Sequence, residues 1–306
     1  MSTNHVRTFG DVSRKEDVVL NAIEILTARE TQIFNMLGKT EAIDTVHHYL
    51  TDTLDAAALN AQKEADDYTM GARTTPSRAT NLIQHIFKPF AVSDTQRDVS
   101  HYHGKDELQR QTEKALMEWG NDAEFNILRS TLTSGASGTA PAMSGILQGI
   151  STSLNYTAHN SGTAWSASIL DGLVKNNYEQ SNGDMATDLF MNSTLRAATD
   201  GFTQKSNMVV NGPVASTIVR TVSYYQTAFS TLAIHTHRYI YQSDTTTRLR
   251  VLGINRDKLK VAFLRRPWID MNIARTGPST KRSVNGSLTV EIRNKNSNFY
   301  ADGFSS

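Results

Sequence analysis

The stretch from Ile86 to Leu132, IFKPFAVSDTQRDVSHYHGKDELQRQTEKALMEWGNDAEFNILRSTL, constrains the fold more than any other part of the chain. It reads as a β-strand, a polar turn and one long amphipathic helix. Leu108, Ala115, Leu116, Trp119, Ala123 and Ile127 recur at intervals of three, four and seven, which draws one apolar stripe along a single helical face. Asp106 followed by Gln109 is a capping-box-like start, and the region of Gly135 is the expected stop. Glu107, Arg110, Lys114 and Glu118 fall on the opposite, solvated face. A helix of about 25 residues rising about 1.5 Å each spans nearly 40 Å, long for a globular domain and suited to a strut. The stripe predicts that Trp119 buries against strands from residues 249–293.

On the N-terminal side, residues 1–13 are polar and aperiodic. Val19, Ile23, Leu26, Ile33 and Leu37 predict one or two helices over residues 14–37, with Gly38 as the C-terminal stop. Residues 43–54 and 82–93 carry the β-branched and aromatic residues of strands. Between them, residues 56–80 are rich in Ala, Asp, Asn, Thr and Arg and almost free of large apolar residues. Two strands joined by so long a polar excursion cannot fold over a core of their own.

Beyond the long helix, TSGASGTAPAMSG reads as a linker and a domain boundary. A helix over residues 168–178 turns Leu170, Leu173, Val174 and Tyr178 inward. A short strand at residues 188–191 leads into a helix from Ser193, and a β-rich run holds Val219, Val222, Tyr224, Phe229, Leu232, Ile234 and Tyr239. The chain then returns to strands. Residues 248–254 and 260–264 flank a turn at Asn255-Arg256-Asp257, and Leu288, Val290 and Ile292 alternate after an Asn285-Gly286 turn signal.

Composition excludes several functions. A formal net charge of +1 lacks the basic excess of a dedicated DNA-binding protein. It suits a chain that sits beside many copies of itself without long-range repulsion. With no cysteine, disulfide scaffolds and cysteine-ligated zinc are ruled out, and a reducing cytoplasm fits. No apolar run approaches about 18 residues, so no membrane helix is expected, and the first 20 residues lack the apolar core of a signal peptide.

Catalytic and binding motifs dissolve on inspection. Gly38-Lys39-Thr40 resembles the end of a phosphate-binding loop, but a helix precedes it and the motif's first glycine would fall at Ile33. The series Gly135, Gly138, Gly145 and Gly149 lacks a strand-turn-helix context. The pairs His47-His48, His101/His103 and His235/His237 have no acidic or cysteine partner nearby in sequence to complete a metal sphere. No arrangement suggests hydrolysis. No enzyme activity, cofactor or metal is expected. Arg265-Arg266, Lys281-Arg282 and the Arg73/Arg78 pair fit salt bridges between subunits better than a DNA surface.

Four blocks in order carry a family resemblance: ETQIFNMLGKTEAIDTVHHYLTDTLDAA, the strand and long helix above, DLFMNSTLRAATDGF, and KLKVAFLRRPWIDMNIARTGPSTKRSVNGSLTVEIRNKNSNFYADGF. Together they cover most of residues 30–306, and their order resembles that of the major capsid (major head) proteins of tailed double-stranded DNA bacteriophages, the podophage family in particular. The pattern departs modestly: no proline follows the acidic residue at Thr31–Ile33, and residues 231–238 are less glycine-rich. The resemblance implies an α+β capsid fold, with an N-arm at 1–42 and an E-loop with its flanking strands at 43–93. A P-domain spine helix at 94–138, an A-domain at 139–248 and closing P-domain strands at 249–306 complete it. It implies a structural protein of the virion, assembled in the host cytoplasm into pentamers and hexamers with a separate scaffolding protein, a portal and packaged double-stranded DNA. Lys63, Asp66, Asp67, Tyr68, Arg73 and Arg78 become the candidates for contact between subunits. Some such shells join an E-loop lysine to a neighbour's asparagine; here Lys63 and Asn294, Asn296 or Asn298 would be the pair, but no buried glutamate base is evident. The rival readings are a soluble α+β binding or enzymatic protein with residues 56–80 as a lid, and a head-completion or tail protein.

Overall fold

The computed structural model describes residues 31–59, 61–65, 67, 70–98, 106–136, 138–156, 163–181, 183–202, 223–240 and 249–305. Residues 1–30 of the arm, with the helical positions Val19, Ile23 and Leu26, and His101, His103, Val219, Val222 and Arg248 lie outside the described residues. The fold is mixed α+β.

Strands β1 (Gly38–Glu41), β4 (Gln84–Ser93), β11 (Leu259–Asp270) and β12 (Ser279–Ile292) form a four-stranded sheet in the order β1-β11-β12-β4. β1 runs parallel to β11 and the other pairs are antiparallel. A second sheet runs β5 (Asn155–Tyr156), β13 (Phe299–Ser305), β10 (Leu249–Ile254), β7 (Asp188–Met191), β9 (Thr231–Thr236), β8 (Tyr224–Gln226), with β6 (Thr163–Ala164) also on β13. β2 (Val46–Thr51) and β3 (Ser77–Leu82) pair only with each other, as a two-stranded ribbon.

Short helices α1 (Gln32–Met36) and α2 (Asp94–Asp98) precede the long helix α3, Glu107–Arg129. Asp106 caps α3 by accepting from the Leu108 N–H at 3.1 Å. The helix ends at Arg129 because Ser130 is already extended (φ −61°, ψ 140°), so the stop falls before Gly135. All six stripe residues are buried. Trp119 is fully buried, meets Phe34 edge-on at 6.4 Å, and donates its indole N–H to the Ile86 carbonyl at 3.2 Å. Its ring lies over Gly286 so closely that a Cβ there would sit 2.4 Å from the indole. Asn285-Gly286 is therefore no turn. It lies inside β12, paired with Phe87 and Ile86, and the glycine makes room for the ring.

Other expectations change for local reasons. Leu37, not Gly38, ends α1, and Gly38 opens β1. Glu107 is buried rather than solvated, held by Arg110 at 2.6 Å and by Gln111 at 2.7 Å. Residues 133–145 are no slack linker. Bridges Thr133↔Ala142 and Ala136↔Thr139 fold them back, Gly135 and Gly138 adopt φ of +76° and +89°, and Met143 is fully buried. Tyr178 on helix α4 (Ala167–Gln180) is exposed beside Phe229 rather than core. β11 continues past Leu264 to Asp270 through bulges on either side of Arg265.

Both sheets share one apolar core, with α3 as its bridge. The middle of α3 covers the four-stranded sheet through Trp119. Further along, Phe125 meets Tyr239 edge-on at 5.8 Å beside the second sheet.

Candidate functional site

The ribbon is fastened at its base. The Asn81 side-chain amide donates to the carbonyls of Val290 at 2.7 Å and Ser144 at 3.0 Å, while its oxygen accepts from the Ser144 N–H at 2.8 Å. The Tyr49 hydroxyl accepts from the Ile292 N–H at 3.4 Å, and His47 lies 3.4 Å from the Glu291 carboxylate. Burial raises the Tyr49 phenol above its ordinary value, reinforced by Glu291 and opposed by the Ile292 N–H, so it stays neutral at any physiological pH. Outside these anchors, Thr51 and Ser77 share a hydroxyl contact at 2.8 Å, and Thr74 donates to the Thr53 carbonyl at 2.8 Å. These contacts close the neck of the excursion.

Beyond the neck, residues 52–76 carry no helix or strand among the described residues, and every described residue there is exposed. Leu54, Leu59 and Met70 are 98%, 107% and 90% exposed, so large apolar side chains are held in water. Lys63, Asp67, Arg73 and, on β3, Arg78 are exposed too, whereas Asp66 and Tyr68 lie outside the described residues. The polar excursion thus also bears three apolar side chains that the sequence reading undervalued.

Glu124, on the inner face of α3, went unnoticed in the sequence. It is fully buried and accepts from the backbone N–H groups of Ile33 at 2.9 Å and Phe34 at 2.7 Å. A ring nitrogen of His237 sits 2.6 Å from the same carboxylate. One side chain therefore ties α1, α3 and the end of β9 together. His235 has a different carboxylate, Asp188, at 3.0 Å, which Arg256 also grips with two guanidinium nitrogens at 3.0 and 2.9 Å. Each of these histidines thus has a carboxylate from a distant element, but not a shared one. No group of three metal-ligating side chains occurs among the described residues. Asn294, Asn296 and Asn298 lie in and around the turn between β12 and β13 rather than on a strand; Asn298 is fully buried, accepting from the Asn255 N–H at 2.9 Å. Arg265 lies 4.8 Å over the Trp268 ring, and Arg266 sits 3.7 Å from Glu41.

The geometry offers an exposed excursion on a paired ribbon and two sheets that share one core, and solved structures show the same fold. The capsid of the native GTA particle aligns with a TM-score of 0.59 at 12% identity, covering 89% of each chain. Mycobacterium phage Bobi aligns with a TM-score of 0.59 at 9% identity, covering 90% of this chain and 91% of that one. The holo-SrpI encapsulin complex of Synechococcus elongatus aligns at 0.57 and 9% identity, covering 88% and 85%. No curated protein matches the chain in sequence. The family model described as SU10 major capsid protein matches residues 3–303. The chain belongs to the SU10 major capsid protein family, and is a structural major capsid protein of the tailed-phage virion.

Proposed function

We propose that this subunit builds the head as pentamers and hexamers, with residues 43–93 as the E-loop and its flanking strands, laid across a neighbouring subunit. Residues 1–42 act as the N-arm, 94–138 carry the spine helix, 139–248 form the A-domain, and 249–306 return as the closing strands of the P-domain. The shell assembles in the host cytoplasm around a separate scaffolding protein, with a portal at one vertex, and encloses double-stranded DNA without reading its sequence. Nothing in the site calls for catalysis, and family membership disfavours the lid and tail readings.

One observation carries this reading: the excursion at 52–76 leaves Leu54, Leu59 and Met70 uncovered at the end of an anchored ribbon. Ordering such a segment requires burial that its own chain does not supply. Hydrogen exchange tests it. Amides of residues 52–76 should exchange without protection in isolated subunits and become protected in assembled shells; equal rates in the two states would refute the assignment.

A further inference from the structure

Near the first turn of α3 a partly buried cation stands without a counter-ion. β12 turns Thr280, Arg282, Val284 and Gly286 to one face, and because Gly286 receives the Trp119 ring, that face is the one toward α3. Val284 is fully buried there. Arg282, paired across the sheet with Phe90, lies beyond it, where the charges of Arg97 and Asp106 reach it. Its side chain is partly buried, yet it has no hydrogen bond or ion pair among the described residues. Burial, and then the like charge of Arg97, hold its guanidinium below the ordinary arginine value, and Asp106 offsets this only in part.

The carboxylate at hand is already committed. Asp106 caps α3 through the Leu108 N–H at 3.1 Å, and its other oxygen lies 3.8 Å from the Arg97 guanidinium. Asp94, at the start of α2, is held by Arg275. Arg97 also donates to the Thr280 hydroxyl at 3.3 Å, which leaves the hydroxyl's own proton to be donated elsewhere. Two guanidiniums and one hydroxyl donor thus meet at the positive end of a 23-residue helix. A partly desolvated guanidinium without a partner is destabilising, and an oxyanion relieves it. Arginine forks match phosphate oxygens, and one phosphate has oxygens enough to accept from both forks and from the hydroxyl. We propose that Arg282, Arg97 and Thr280 form a seat for one phosphate group, supplied as free phosphate or by a nucleic-acid backbone. Lys281 takes no part, since it turns to the opposite face and contacts the Thr276 hydroxyl. The seat stands whether or not the excursion at 52–76 reaches a neighbour.

The test titrates the purified full chain with inorganic phosphate against chloride at constant ionic strength, reading calorimetry and melting temperature. Phosphate should raise the melting temperature of the parent more than that of Arg282→Gln. General stabilisation by a kosmotropic anion is common to both chains, so the difference between them reports the seat. Arg282→Gln should weaken phosphate binding about ten-fold or more, and Arg97→Gln should weaken it too, since each removes a charge-assisted bond. Arg266→Gln, at an exposed arginine of β11, should stay within about two-fold of the parent. In chloride alone Arg282→Gln should melt no lower than the parent, because the guanidinium it removes has no partner. A short double-stranded DNA, followed by fluorescence anisotropy, separates the two sources. Weaker DNA binding by Arg282→Gln, with the salt slope reduced by about one, assigns a backbone phosphate. Phosphate binding with DNA binding unchanged assigns free phosphate. Equal responses of parent and Arg282→Gln to phosphate overturn the seat. An Arg266→Gln loss as large as that of Arg282→Gln also overturns it, as a diffuse charge effect. So does an Arg282→Gln chain that melts well below the parent in chloride. Failure of Arg282→Gln to enter particles, when the parent binds no phosphate, overturns it in favour of a carboxylate from a second copy.

Discussion

Trp119 and Gly286 act as one unit, a large ring and the empty position that receives it. Trp119→Ala should cost about 3–5 kcal/mol in urea unfolding of the isolated subunit. Gly286→Ala should cost about 1–3 kcal/mol through overpacking. In the Trp119→Ala background the Gly286→Ala penalty should nearly vanish, because its clash partner is gone; additive costs would show that the two do not touch. Trp119 was legible from spacing alone, whereas its slot was not: Asn-Gly carries a strong turn signal, and only the third dimension shows extended backbone there. Glu124 was hidden for a similar reason, since its partners lie 90, 91 and 113 residues away in sequence. Asp188 gives a pH-dependent test at the same scale. Burial alone would raise its carboxyl, but hydrogen bonds from His235, Thr187 and Arg256, with the Arg256 charge, outweigh that and hold it below the ordinary value. A depressed folded pKa contributes stability in full above the unfolded value of about 4, and that contribution is lost as pH falls through the folded value. Asp188→Asn should therefore be less stable than the parent near neutrality, with the gap closing in acid below about pH 4. A gap that stays constant down to acid would contradict this account of the carboxylate.

Elements divide by how local their determinants are. α3 was readable because its period repeats over 23 residues and Asp106 marks its start. Asp106→Ala should cost about 1 kcal/mol by removing the cap, while Lys114→Ala on the exposed face should stay within about 0.5 kcal/mol. Thermal melts of the two variants check this, and a Lys114 effect as large as that of Asp106 would mean the outer face is not simply solvated. The ribbon strand β2, the sheet strand β4 and β7 were also readable, from residue types and flanking breaks, whereas β3 was not, because residues 77–80 read as part of the polar excursion and pair with β2 only in three dimensions. Residues 133–145 were not, because a Gly/Ser/Ala sequence looks alike whether it spans a gap or folds back over Met143. Strand partners were likewise beyond reach: β1 pairs with β11 more than two hundred residues later, and no local pattern encodes that match.

At the scale of the whole molecule, the core and the excursion make separable contributions. Every large side chain of the shared core lies outside residues 52–76, and the ribbon's anchors at Tyr49, Asn81 and the Thr51–Ser77 contact lie outside them too. Replacing residues 54–73 by Asn-Gly would leave β2 and β3 joined by a short connection, and shortening a loop lowers its closure entropy rather than adding strain to the core. The shortened subunit should therefore melt within about 0.5 kcal/mol of the parent, or slightly above it. Assembly should respond differently, since an arm that covers a neighbour contributes only when the neighbour is present. Sedimentation should find the shortened subunit folded but absent from particles under conditions in which the parent forms closed shells. Particles of normal yield from the shortened chain would show that the shell is held by the body alone, and the exposed Leu54, Leu59 and Met70 would then need another explanation.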